Sequence, residues 1–259
     1  MPAAMPDPAP RPMLAPAQRS GVLWTIAKVL GWAVAVLLLV VSPLSIRSFV
    51  AQPFDIPSGS MKPTLLIGDH FFVTKYAYGF THYSLPYSPP VFTGRILGSE
   101  PQRGDLVVFR LPSDDRTDYI KRVVGLPGDR IQMRGGELYI NGAAVKRERV
   151  ADFTDNDDGT PQHVKRWRET LPNGASYETL DIYDNGILDN TEEYTVPAGH
   201  YFMLGDNRDN STDSRVPPEH HGVGYVPFEN LIGRVGIIFY SFDPAQARFR
   251  SERIGMTVH

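Results

Sequence analysis

From Gly21 to Ile46 the chain is apolar over 26 residues, broken only by Lys28, and Val29 to Val41 holds no charge. As a helix at about 1.5 Å per residue this stretch is roughly 39 Å long, against a hydrocarbon core of about 30 Å. The pattern predicts one membrane-spanning helix over residues 21–46. Lys28 lies near its start, where the long stem lets the ammonium reach the near surface, and Trp24 suits the same interface. Arg11, Arg19 and Lys28 precede or enter the span and only Arg47 follows closely, which predicts a cytoplasmic N-terminus and an extracytoplasmic body. The alternative is a cleaved signal peptide, whose cut needs small residues at −3 and −1. Pro43-Leu44-Ser45 and Phe49-Val50-Ala51 are both poor sites. Residues 1–20, with six prolines, read as a disordered tail.

Beyond residue 47 the pattern changes to short runs of β-branched and aromatic residues between Gly, Pro, Asn and Asp clusters. Strands are predicted at Asp105–Leu111, Tyr119–Val124, Arg130–Met133, Glu137–Ile140, Tyr194–Val196 and Leu231–Phe242, with tight turns at Asn141-Gly142 and Asn185-Gly186. No long stretch of the body has helical periodicity. The expected fold is mainly β: an antiparallel catalytic domain (47–130 and 197–245), an inserted β subdomain (131–196) and a solvated C-terminal tail (246–259).

Composition narrows the chemistry. Cysteine is absent, so disulfides, thiolate metal sites and a Cys nucleophile are excluded, and the formal net charge of −3 argues against a nucleic-acid partner. A hydrolase then needs a nucleophile, a base and oxyanion donors. Ser58-Gly59-Ser60-Met61-Lys62-Pro63 can bring a hydroxyl and backbone N–H groups to a carbonyl, though a plain Ser/Gly turn reads the same way. The seven histidines lie in no recognisable protease context. A neutral lysine is the alternative base, which requires burial to lower its pKa. On a strand, Tyr119, Lys121 and Val123 share one face, so apolar neighbours flank Lys121, while Arg122 points to the other side. A strand-edge lysine is the plainer reading. Lys62, in a turn, and Lys75 are rival lysines and both read as solvated. A third segment, Gly205 to Arg215, runs through nine consecutive polar or charged residues after Asp206. It reads as a solvated turn or as a loop that orients other groups.

Together these segments resemble the bacterial type I signal peptidases, the membrane-bound Ser/Lys leader peptidases. The resemblance is carried by PFDIPSGSMKPTLLIGD (Pro53–Asp69), RGDLVVFR (Arg103–Arg110), DYIKRVVGLPGD (Asp118–Asp129), YFMLGDNRDNSTDSR (Tyr201–Arg215) and, more weakly, VPFENLIGRV (Val226–Val235), in the family's order behind an N-terminal anchor. It implies Ser60 as nucleophile and Lys121 as general base. The Ser60 N–H and the Ser58 hydroxyl would form the oxyanion hole. Ser211 and Asp213 would position the lysine and brace the site, with Arg215 supporting that loop. Phe54, Ile56, Met61, Leu65, Tyr119 and Ile120 would line two shallow pockets for small side chains at P1 and P3. The implied substrates are secretory preproteins cut after an Ala-x-Ala-like sequence at the outer face of the inner membrane, with no cofactor and no metal.

Two features depart from the family's pattern. One span precedes the body where some members have two, and Lys62 stands where a neutral residue is common. Nothing catalytic transfers onto the inserted region. Asp181–Glu192 has the acid, glycine and glutamate spacing of a calcium loop, but Tyr183 at the third position cannot ligate, and an Asn185-Gly186 hairpin accounts for it better. A self-cleaving Ser/Lys protease, or an inactive membrane-tethered binding protein of the same fold, are the competing functions.

Overall fold

The computed structural model describes residues 20–49, 51–85, 87–157 and 159–258; the expected tail over residues 1–19 lies outside them. Helix α1 (Ser20–Phe49) is one continuous helix, and its stretch Leu23–Ser42 has a mean hydropathy of 2.2 with its side chains exposed. This helix is apolar on all sides, as a span facing lipid must be and a helix on a soluble core is not.

The rest of the chain is antiparallel sheet. The strands in chain order are β1 (Ala51–Asp55), β2 (Asp69–Thr74), β3 (Leu106–Arg110), β4 (Asp118–Gly125), β5 (Arg130–Arg134), β6 (Glu137–Ile140), β7 (Ala143–Ala144), β8 (Lys146–Asp155), β9 (Gln162–Thr170), β10 (Ser176–Asp181), β11 (Tyr194–Thr195), β12 (His200–Leu204), β13 (Val226–Pro227), β14 (Leu231–Asp243) and β15 (Arg248–Phe249). The main sheet has the order β1-β2-β14-β3-β4-β12-β13, with β15 added to β14. Between β4 and β12 the chain builds two smaller sheets, β11-β5-β6-β7 and β10-β9-β8. The Asn141-Gly142 turn joins β6 to β7 with both residues at positive φ, which suits that pair because neither carries a branched Cβ.

Alternation along the central strands separates two cores. Val108 packs with Ile56, Leu65, Phe71 and Ile238 on one side, while Val107, Phe109 and Val123 pack with Tyr201, Met203 and Leu231 on the other. Val124, Phe202 and Leu204 of the main sheet share a third core with Ile131, Met133, Leu138, Leu171 and Tyr177 of the smaller sheets. The inserted strands are therefore welded to the main sheet by apolar packing.

Two local expectations give way. Asn185-Gly186 is a turn between β10 and β11, which belong to different sheets, and not a β-hairpin. The segment after residue 245 is no solvated tail. Strand β15 pairs with β14, Val258 joins a core, and Arg250 is buried with its guanidinium on the Ser241 hydroxyl and the Phe242 carbonyl. Arg253 donates to both oxygens of Asp69, a fully buried carboxylate that needs compensating charge.

Candidate active site

Three connections of the main sheet converge. Ser60 lies on a single 3₁₀ turn (Gly59–Met61) between β1 and β2, Lys121 is in β4, and the polar segment Gly205–Arg215 follows β12, the strand hydrogen-bonded to β4. The Lys121 Nζ donates to Ser60 Oγ at 2.7 Å. Lys121 is 3% exposed, and this burial lowers its pKa to about 8. The negative charges of Asp213 and Asp206 oppose that shift and Arg215 assists it. An amine desolvated to this degree spends an appreciable fraction of its time neutral near physiological pH. The Ser58 hydroxyl stands 3.4 Å from Ser60 Oγ, longer than a strong hydrogen bond.

The polar segment grips the nucleophile turn through backbone atoms. The Asn207 N–H donates to Ser60 O at 3.1 Å and its side-chain amide to Gly59 O at 3.2 Å. Gly205 allows this approach, because a Cβ there would collide with Ser211 and stand 2.8 Å from the Ser60 carbonyl oxygen. Behind the turn, two buried ion pairs hold the segment. Arg122 donates to both oxygens of Asp206, at 2.8 and 2.7 Å, and Arg215 to both oxygens of Asp213, at 2.9 and 2.8 Å. Burial alone would raise the Asp213 carboxyl. The Arg215 charge and hydrogen bonds, with the Gly205 N–H and the Lys121 charge, outweigh it and hold the carboxyl below its ordinary range. Each pair is bidentate and takes further backbone bonds, which offset the cost of burying the charges.

The structure thus brings Ser58, Ser60, Lys121 and Ser211 to one cleft of about 540 Å³. Ser211 makes no hydrogen bond to the lysine: its hydroxyl is buried and without a partner among the described residues. Asp213 and Arg215 lie behind the cleft as a pair. Of the six residues expected in the substrate pockets, Tyr119 lines the cleft. Ile56, Met61 and Leu65 are buried in the core beneath it, and Phe54 and Ile120 are half-buried against that core. Two lysines differ from their sequence reading. Lys62 is 4% exposed and its ammonium lies 2.6 Å from Asp155 and 2.5 Å from Asp157, at the tip of the β8–β9 hairpin. Lys75 is buried and donates to the Ser84 carbonyl oxygen at 2.6 Å. The Lys62 cation finds its acceptors on the β8–β9 hairpin and the Lys75 cation finds one nine residues along the chain, neither of which local polarity reveals.

Sequence reading gave no role to Arg122, Asp206 or Asn207, although all three lie within its matching blocks. Alternation on β4 put Arg122 on the face opposite Lys121 and gave that face no further description. The inserted sheet covers that face, with the Tyr177 ring 4.0 Å from the guanidinium. The cleft residues Tyr183, Ile187 and Leu188 were also missed, because they come from the inserted region.

Compared with known proteins, the chain matches the family model described as "Signal peptidase, peptidase S26" over residues 29–240. It is 46% identical to the signal peptidase I of Rickettsia akari over 206 residues, 76% of this chain and 74% of that protein. Against the signal peptidase I of Rickettsia typhi the identity is 45%, over 76% of this chain and 75% of the other. The crystal structure of a signal peptidase I from Enterococcus faecalis is similar at 25% identity over 52% of this chain and 97% of that one, with a TM-score of 0.30. A β-sheet body behind an apolar helix long enough to cross a membrane, with this kinship, defines a membrane-anchored peptidase. Within that class, the chain belongs to the signal peptidase family, peptidase S26.

Proposed function

We propose that the protein removes N-terminal signal peptides from secretory preproteins at the membrane, using Ser60 as nucleophile and Lys121 as general base. The observation that carries this reading is the 2.7 Å contact from the buried Lys121 amine, its pKa lowered to about 8, to the Ser60 hydroxyl. Ser60 Oγ attacks the scissile carbonyl carbon as its proton passes to the neutral amine. The carbonyl oxygen becomes an oxyanion, met by the Ser60 N–H and the Ser58 hydroxyl. Collapse breaks the C–N bond, and the Lys121 ammonium returns the proton to the leaving amine. Water, deprotonated by Lys121, then hydrolyses the Ser60 ester and restores the hydroxyl.

Small residues at P1 and P3 are what the resemblance implies for pockets at Phe54, Ile56, Met61, Leu65, Tyr119 and Ile120; of these, Tyr119 lines the cleft and the other five lie in or against one core. The N-terminus faces the cytoplasm and the body the periplasmic side of the inner membrane, the orientation favoured by the basic residues before the span. The partners are the preprotein and the lipid bilayer; the net charge of −3 fits no nucleic-acid partner.

The test is to incubate the detergent-solubilised protein with a preprotein and to map the cut by mass spectrometry. A single cut after an Ala-x-Ala-like sequence is expected from the wild type. Ser60→Ala, Lys121→Ala and Lys121→Arg should each reduce turnover by at least about 10⁴-fold without unfolding, since the pair acts as one unit and a guanidinium does not deprotonate. Substantial cleavage by the arginine variant would sink the lysine-base mechanism.

A further inference from the structure

We infer that the loop after β10, residues 182–188, is a substrate-binding wall of the cleft, and that Tyr183 and Ile187 determine specificity by holding an apolar side chain of the bound polypeptide. This rests on the peptidase reading above and adds a subsite formed by the inserted region.

Ser60, Lys121 and Tyr119 line the cleft together with Tyr183, Ile187 and Leu188 of this loop. Ile187 is 97% exposed and Tyr183 63% exposed, so two large apolar side chains stand in solvent within reach of the dyad. A mobile loop would turn such residues inward, but this one is tied down at its backbone. The N–H groups of Ile182 and Tyr183 both donate to Asp209 Oδ2, at 2.7 and 2.9 Å. The Gly186 N–H donates to Asp189 Oδ2 at 2.7 Å, and Asp209 occupies the space a Cβ at 186 would need. Upstream, Leu180 is bound to the catalytic segment in both directions, its N–H to Asp206 O at 2.8 Å and its carbonyl to the Arg208 N–H at 3.0 Å.

Apolar side chains held out on a fixed backbone, next to a reacting centre, mark a surface that is covered when the ligand arrives. The ligand is a polypeptide, because the cleft that this wall closes is the one containing Ser60. The residue it holds is aliphatic or aromatic, and it lies outside the two positions reserved for small side chains.

The experiment scans peptides spanning a cleavage site with Leu, Phe, Ser and Asp at each position other than −1 and −3. It measures kcat and KM for the wild type, Tyr183→Ser, Ile187→Ser and the double variant, whose folding is checked by thermal melting. The wild type should favour Leu or Phe over Ser at one or more positions by roughly tenfold in kcat/KM, and the double variant should lose that preference through KM. A second arm measures binding of the same fluorescent peptides to full-length Ser60→Ala protein, alone and with both wall residues changed. The Leu peptide should bind about tenfold more weakly once the wall is removed, and the Ser peptide equally well. This arm needs no turnover. Loss of binding discrimination alongside an inactive wild type would overturn the dyad and uphold the wall. The same preference in both proteins, or no apolar preference in the wild type, would overturn the wall.

Discussion

Lys121 can take the Ser60 proton only in its neutral form. With its pKa lowered by burial to about 8, kcat/KM should climb as pH rises through that value and level off above it. Asp213 complicates its role as a brace. It is bound to Arg215, yet its charge is the largest influence holding the Lys121 pKa up. The structure therefore predicts that Asp213→Asn acts on the acidic limb as well as on the loop. Removing a negative charge that favours the ammonium, while leaving the Arg215 charge in place, should move the limb to lower pH by roughly one unit. Rate measurements from pH 6 to pH 10 check this, and an unmoved limb would confine Asp213 to bracing. On the proposed mechanism, Ser58→Ala leaves the nucleophile and base intact and removes one oxyanion donor. It should lower kcat by about 10²–10³ with KM little changed. A loss below threefold would assign the second donor elsewhere.

The nucleophile turn is too short to hold itself: one 3₁₀ turn (Gly59–Met61) has little cooperative stability. It is fixed by Asn207 on one side and on the other by Lys62, whose stem runs past Gly59 to the β8–β9 hairpin. Lys62→Met should retain the fold but free the hairpin tip, at a cost of about 1.5–3 kcal/mol. Misplacement of the attacking hydroxyl should lower kcat roughly tenfold, with KM less affected. Asp155→Asn with Asp157→Asn should reproduce the effect, and Lys62→Arg should largely restore it. Parallel changes in melting temperature without any change in kcat would reduce the contact to a stability device.

Among the described residues, those from Leu44 onward form one compact unit, and those up to Pro43 belong to another. The body has its own three cores and needs nothing from the span to bury them. A chain lacking residues 1–43 should therefore unfold cooperatively and cleave a short peptide in detergent at the full-length rate. On preproteins inserted in vesicles it should be slower by roughly 10², because the tether supplies effective concentration at the bilayer. Equal rates on vesicles would remove the anchor from the catalytic account, and an unfolded truncation would tie the body's stability to the span.

The sequence by itself determined what depends on neighbours along the chain. A long apolar run fixes a span through its length, and short β-branched runs between turn residues fix a β body. The order of the Ser60, Lys121 and Gly205–Arg215 segments carries the family resemblance. Only tertiary structure decided what depends on atoms far apart in the chain. Lys62 and Lys75 look solvated locally but are buried on acceptors that other segments supply. Arg250 and Arg253 look like a loose tail but compensate the buried Asp69. The inserted region looks detached from the chemistry, yet it covers Arg122 and walls the cleft. Hydrophobic periodicity reports which side of an element is buried. It is silent on which charge meets which, because the cost of burying a charge is offset only by a partner that folding brings within about 3 Å.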